Sequence, residues 1–498
     1  MEAFPYAAME DTAMNEQDLA VIKKKSLSGI VALTSRTFLL QIIAFGATVL
    51  LTIFLTPATF GIFYVVSAII SFMAYFSDIG LAAALIQKKD ELTQEDLKTT
   101  FTIQQILVGI LVVVSLIASS AIARFYQLDD SGVWLLRALI VSFFLSSLKT
   151  IPSILLERKL DFQKLIIPQV AETVGFYAVA VILAWYGWGV SSFTWAVLVR
   201  GFIGLILMYA ISPWRISIGF SRGVAKKLLR FGVPFQMHSF LALVKDDLLT
   251  VFLGKVLPFT EVGYIGWAKK WAEVPLRLVM DSVVRVTFPT FSRIQESKET
   301  LSRAIEKTLF GLSLVIFPIS VGLLFFVRPL ILIVPRYEKW EPALLSFYLF
   351  TIASAIASLS TPLTNALNAI GKIKTTLSLM VLWTVATWVL TVLFIYFFGF
   401  DGVAMALSAV TATLWLVVRL VQKIAPFSFW HSVRAPLLGA GIQGAAYFLL
   451  FKIIPVGVIW LTGAGVVGVI LYIGSVLMLE RKRIGELSRS FHMSLWPR

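Results

Sequence analysis

Residues 100–124 read TFTIQQILVGILVVVSLIASSAIAR, with no charged side chain until Arg124 closes the run. Coiled as a helix rising 1.5 Å per residue, such a stretch crosses roughly 30 Å of hydrocarbon. It is one of many. Runs of the same kind fall at 27–55, 58–86, 100–124, 133–156, 166–187, 189–211, 229–256, 261–290, 308–333, 343–368, 375–399, 402–421, 433–454 and 457–479. Composition agrees: the 498-residue chain is 58% hydrophobic and 14% charged, where a soluble domain carries about 25% charged residues. The fold class is all-α integral membrane, with about fourteen transmembrane helices. Gly-Trp-Gly at 187–189 and Gly-Phe-Asp-Gly at 399–402 mark tight turns between neighbouring spans.

Lysine and arginine fall on alternate loops. Lys23, Lys24 and Lys25 precede the first span. Lys88, Lys89 and Lys98 follow the second, and Arg158, Lys159 and Lys164 the fourth. The series continues with Arg215, Arg222, Lys226, Lys227 and Arg230, then Arg293, Lys298, Arg303 and Lys307, then Lys372 and Lys374, Lys423 and Arg434, and Arg481, Lys482 and Arg483. Short loops with that bias face the cytoplasm, so both termini are expected inside. The formal net charge of +15 thus reflects topology, and no nucleic-acid partner is expected. The polar, partly acidic residues 1–26 lack the basic-then-apolar design of a cleavable signal and read as a cytosolic tail.

Cysteine is absent, which removes disulfides, thiol catalysis and cysteine-bound metals. His238, His431 and His492 are widely spaced, so no histidine metal site is expected. Asp129 and Asp130 sit in a loop too short for a glycosyltransferase or polymerase site, and they read as a helix cap. The chain is therefore not expected to be an enzyme.

A parallel repeat organises the spans. Pro57-Ala-Thr-Phe-Gly61-Ile-Phe opens the second, and 202 residues later Phe259-Thr-Glu-Val-Gly263-Tyr-Ile opens the eighth. Pro152 with Lys164 is echoed by Pro362 with Lys374. These echoes predict two pseudo-symmetric six-helix bundles around a central cavity, an N-lobe at 27–211 and a C-lobe at 229–421. An amphipathic cytosolic linker at 212–228 joins them, alternating apolar and basic positions like a helix lying on headgroups; residues 293–307 read the same way. Spans at 433–479 and a basic cytosolic tail at 480–498 complete the chain.

Charges inside spans cost at least ~2.5–3.5 kcal/mol each and normally face protein or water. The first span carries Arg36, and Asp78 is the only charge of the second. The seventh carries Lys245, Asp246 and Asp247, and the eighth Lys269, Lys270, Glu273, Arg277, Asp281 and Arg285. At about 100° per residue, Lys270, Glu273, Arg277, Asp281 and Arg285 share one helix face. Two readings stand for these groups. Asp78, Asp246, Asp247 and Glu273 either pair charges between helices or couple transport to an ion, while Arg36, Lys269, Lys270 and Arg277 line a hydrated electropositive cavity suited to a diphosphate. His238, 202 residues after Arg36, is its repeat-related position.

Several strings resemble the polysaccharide transporter family. They are Leu-Thr-Pro-Ala-Thr-Phe-Gly-Ile-Phe at 55–63, Ser-Asp-Ile-Gly-Leu at 77–81 and Leu-Leu-Glu-Arg-Lys-Leu-Asp-Phe-Gln-Lys-Leu at 155–165. Leu-Gly-Lys at 253–255, Gly-Tyr-Ile-Gly-Trp-Ala at 263–268, Phe-Pro-Thr-Phe-Ser-Arg-Ile at 288–294 and Tyr-Glu-Lys-Trp at 337–340 extend the match over roughly 27–425. This family holds the Wzx-type flippases of the multidrug/oligosaccharidyl-lipid/polysaccharide exporter superfamily. The resemblance implies alternating access, a polyprenyl-diphosphate-linked oligosaccharide as cargo, and an inner-membrane role in exopolysaccharide, capsule or O-antigen synthesis. It implies no cofactor beyond coupling to a Na+ or H+ gradient or the membrane potential, and as partners membrane lipids and the polysaccharide polymerase and chain-length machinery. Related peptidoglycan-precursor flippases have an arginine on the first helix and cations on the eighth, matched here by Arg36 and by Lys269 and Lys270. They also have an arginine on the second helix, which this chain lacks. Alternatives are a multidrug/cation antiporter of the same superfamily, which calls for an acidic cavity, and a non-transporting scaffold of a polysaccharide assembly complex.

Overall fold

The computed structural model describes residues 39–453 and 457–495. These residues form helices joined by short turns, in two compact units that divide between Gly263 and Tyr264. Among the described residues, eleven helices are long and apolar enough to cross a membrane. A further apolar helix, α1 (Leu39–Phe54), begins where the described residues begin. The seventh and eighth spans are helical as well, but their charges keep them outside that apolar set. The described fold is thus that of a polytopic helical membrane protein.

In the first unit α1 is followed by α2 (Pro57–Asp78), α3 (Leu81–Gln87), α4 (Gln94–Tyr126), α5 (Asp130–Leu148), α6 (Thr150–Arg158), α7 (Phe162–Trp185) and α8 (Ser191–Ile211). Local chemistry sets the boundaries. Thr56 accepts from the Thr59 amide and Pro57 follows at the first helical position, where a missing N–H costs nothing. Thr93 and Asp96 form a capping box at the start of α4, and Lys88 donates to the same Asp96 carboxylate at 2.6 Å. Asp129 caps α5 through the Gly132 amide, the role expected of that pair. Ile79 and Gly80, both left-handed, break the second span into α2 and α3. Arg158 closes this end of the unit by donating to the carbonyls of Leu85, Lys88 and Asp90, each at 2.8 Å. Beneath that clasp Leu81, Leu85, Leu97, Phe101, Ile151 and Ile154 form a buried cluster.

The segment joining α8 to the seventh span differs from the expected surface helix. Residues 213–221 have no regular secondary structure, and α9 (Arg222–Leu243) starts only at Arg222. The reason lies in its anchors. The Gly219 and Ser221 amides donate to Thr102 and Thr99 of α4, and Trp214 packs on Phe101, so the backbone is spent on α4 rather than on helical bonds. The alternation of apolar and basic residues is that of an extended chain, with Ile216, Ile218 and Phe220 exposed together. Of residues 293–307, only 294–297 form a turn, and 298–307 are helical as expected.

The seventh span is α9, a π turn (Val244–Leu248) and α10 (Leu249–Val256). It packs within the first unit. Gly80 and Gly232 bring the α2–α3 corner and α9 into backbone contact, where a Cβ on either would overlap the other's main chain. Tyr75 and Gln236 bond reciprocally to each other's carbonyls at this end. At the other end Tyr126 donates to the Val251 carbonyl and Lys255 to that of Phe125. The start of α11 (Phe259–Arg293) closes the unit against the start of α2.

The second unit holds the rest of α11, then α12 (Lys298–Ile333), a 3-10 turn (Glu338–Ala343), α13 (Leu344–Ala369), α14 (Ile373–Phe398), α15 (Asp401–Thr411), α16 (Leu414–Gln422), α17 (Phe429–Ile453) and α18 (Val458–Leu495). Gly187 and Gly189 in the first unit and Gly399 in the second take positive φ at the tight turns read from the sequence. The core of the second unit runs through Ile305, Leu309, Leu363, Leu367, Val417 and Val421. The last two spans, α17 and α18, pack on α12 through Phe310, Tyr472 and Val476.

Candidate functional site

In the second unit α11 is fixed at one end by an aromatic anchor. Trp267 stacks on Trp340 with centroids 5.3 Å apart and contacts Tyr337 and Phe347. The face carrying Ile265, Ala268, Ala272 and Leu276 is buried. Lys270, Glu273 and Arg277 share a different face, as the helical period required. Lys269 and Lys270 are half-buried, and each has a partner interaction. Arg277 is exposed and donates to Glu273 at 2.7 Å, one turn away. Glu273 is thus paired on its own helix. Asp281 and Arg285 have side chains outside the described residues, as does His238. Arg36 also lies outside them.

In the first unit Lys245, Asp246 and Asp247 occupy the π turn of the seventh span. One extra residue per turn widens the helix there, a distortion that recurs at functional sites. Asp246 is exposed and Asp247 half-buried. Asp78 has a local task. Its carboxylate accepts the Ala82 amide at 3.2 Å, closing the left-handed corner between α2 and α3.

The sequence reading missed one intramembrane cluster. Glu172 of α7 is buried, and its carboxylate receives Lys149, at the break between α5 and α6, together with Arg200 of α8. The three lie on separate spans, and opposite charges at matching depth were the available signal.

The comparisons with known proteins bear on what this scaffold does. A family profile described as "Polysaccharide biosynthesis protein" matches residues 50–345. The chain belongs to this family. It is 22% identical to the succinoglycan biosynthesis transport protein ExoT of Rhizobium meliloti, over 87% of this chain and 89% of the relative. It is 23% identical to the lipopolysaccharide biosynthesis protein WzxC of Escherichia coli, over 63% and 64% of the two chains. Among solved structures, the lipid II flippase MurJ in an inward closed conformation superimposes with a TM-score of 0.73 at 15% identity, covering 91% of this chain and 99% of that one. At that identity the likeness establishes the fold, and it agrees with the expected class.

Proposed function

We propose that the protein is a flippase that carries polyprenyl-diphosphate-linked oligosaccharide units across the bacterial inner membrane by alternating access, for exopolysaccharide, capsule or O-antigen synthesis. The observation that carries the reading is the cationic stretch of α11, where Lys269 and Lys270 are half-buried within the span. Family membership and the MurJ-like fold support it. A lipid-linked glycan needs such a path, because each unpaired sugar hydroxyl costs ~4–8 kcal/mol against hydrocarbon. An isolated buried anion costs on the order of 20 kcal/mol in the Born limit. Hydrated cations replace that loss.

In this reading both termini are cytoplasmic, and the protein works beside a polymerase and chain-length machinery without catalysing a reaction itself. Its energy comes from a Na+ or H+ gradient or the membrane potential, with Asp246 and Asp247 in the π turn as the coupling candidates. The deciding experiment isolates the protein with its native lipids and identifies bound glycolipid by mass spectrometry, then follows transfer of that lipid in vesicles. Recovery of a diphosphate-linked glycan and its transfer are expected. Purified protein that binds no such lipid and moves none overturns the assignment and leaves a scaffold.

A further inference from the structure

A second group of charges lies well away from α11 in the chain, wholly inside the first unit. Lys149 stands at the break between α5 and α6, Glu172 on α7 and Arg200 on α8. Each is about ten residues from the helix end on the 159–161 side, which is ~15 Å and so half the depth of the hydrocarbon. Lys149 donates to one oxygen of Glu172, and the Arg200 Nε lies 3.8 Å from the other. Gly204, one turn from Arg200, leaves the room this carboxylate occupies: a Cβ there would overlap it.

The charges do not cancel, since two cations share one carboxylate. Nor does Arg200 turn outward to lipid. On α8, Trp195, Phe202 and Ile206 form an exposed apolar stripe. At about 100° per residue Arg200 falls on the other side, among buried Phe193, Ala196, Val197 and Gly204. Its side chain is nevertheless 56% exposed. The guanidinium therefore opens onto space within the unit, beside Tyr177, whose hydroxyl is bonded to Thr48 of α1. Among the described residues its two terminal nitrogens have no hydrogen-bond partner. Glu172 takes the Nε side of the guanidinium and leaves the fork of terminal nitrogens presented.

We propose that Arg200, oriented by Glu172, is an anion-binding group at mid-membrane that takes the diphosphate of the cargo during its passage. The inference rests on the flippase reading above and adds a binding position in the first unit. A planar fork suits phosphoryl oxygens, which accept two parallel N–H bonds, better than it suits a metal cation. The net positive charge of the triad argues the same way. Lys149 neutralises Glu172 so that the carboxylate orients Arg200 without cancelling its charge. Glu172 is thus a positioning residue, and Arg200 the one that touches the anion.

The test measures binding of farnesyl diphosphate, with farnesol as the uncharged control, by thermal unfolding of the full chain in detergent. The native protein is expected to bind the diphosphate more tightly than farnesol. Arg200→Ala is expected to weaken the diphosphate at least tenfold and leave farnesol unchanged, and Arg200→Lys to lie between. Glu172→Gln is expected to weaken the diphosphate as Arg200→Lys does, because the fork is no longer aimed. Native affinity in Arg200→Ala overturns the proposal and leaves the flippase reading intact. Should that variant fail to fold, native affinity in Arg200→Lys overturns it equally. A native protein that does not distinguish farnesyl diphosphate from farnesol sinks the diphosphate reading and this one together. Loss of a Na+ or pH response in Glu172→Gln with diphosphate binding unchanged would make the triad an ion-coupling site and overturn anion binding.

Discussion

Gly61 and Gly263 pack reciprocally. A Cβ on Gly61 would overlap the carbonyl of Phe259, and one on Gly263 would overlap the carbonyl of Pro57. Both contacts join the first turns of α2 and α11, and each partner is displaced by the same 202 residues. A contact in which i meets j and j meets i is the mark of a two-fold relation. Here it holds within the first unit, between the two strings that the internal repeat aligns.

These glycines make a sharp mutational prediction. The obstacle to a side chain is backbone, which cannot swing aside, so Gly61→Ala and Gly263→Ala are each expected to lower stability by ~1–3 kcal/mol. Both substitutions force the same two helix starts apart, so the double variant should cost less than the sum. Gly311→Ala is the control. It lies inside α12 with open space around its Cβ position, and alanine there should be neutral or stabilising by up to ~1 kcal/mol. Thermal unfolding in detergent separates the three.

Topology is testable without removing native thiols, since the chain has none. Single cysteines at positions 92, 162 and 300 are expected to react with an impermeant maleimide only from the cytosolic side. Those at 128 and 338 should react only from outside. Labelling of position 128 from the cytosol would invert the orientation.

On α11 the pair Glu273–Arg277 lies one turn apart with Arg277 exposed, so it contributes at most ~0.5 kcal/mol. Arg277→Ala should therefore leave the unfolding midpoint almost unchanged. Lys270→Ala and Arg36→Ala are expected to abolish polymer export at normal protein level, and charge reversal should be worse than neutralisation. Reduced abundance with normal transport per molecule would mark these side chains as structural.

What the sequence shows, and what it hides, follows from how each element is encoded. The spans in α4, α12 or α14 are legible because twenty consecutive apolar residues have one physical use. Even α11, too charged for a hydropathy test, is placed by its repeat partner α2. The 212–228 linker misleads because alternation of apolar and basic residues suits both an amphipathic surface and an extended chain, and the bonds that choose between them, from the Gly219 and Ser221 amides to Thr102 and Thr99, are tertiary. At the α11 site the shared face of Lys270, Glu273 and Arg277 follows from helical periodicity alone. The Lys149–Glu172–Arg200 triad does not, because its members sit on three spans and meet only through packing around Gly204.

That triad also carries an asymmetric energetic prediction. Glu172 is almost wholly buried, with side-chain exposure of 9%. Replacing it by glutamine leaves Lys149 and Arg200 facing each other without a counter-charge, and a stranded buried charge costs ~3–5 kcal/mol. Lys149→Met is milder, because Glu172 keeps its second partner, Arg200. The double variant Lys149→Met with Glu172→Gln removes one charge of each sign and leaves only Arg200, whose side chain is more than half exposed. Its stability should therefore lie above that of Glu172→Gln alone, and the two single costs should not add. Unfolding midpoints of the four proteins in one detergent measure this directly. Additive costs would mean that Lys149 and Glu172 do not share their charge in the folded protein, and Arg200 would then be oriented by something other than this carboxylate.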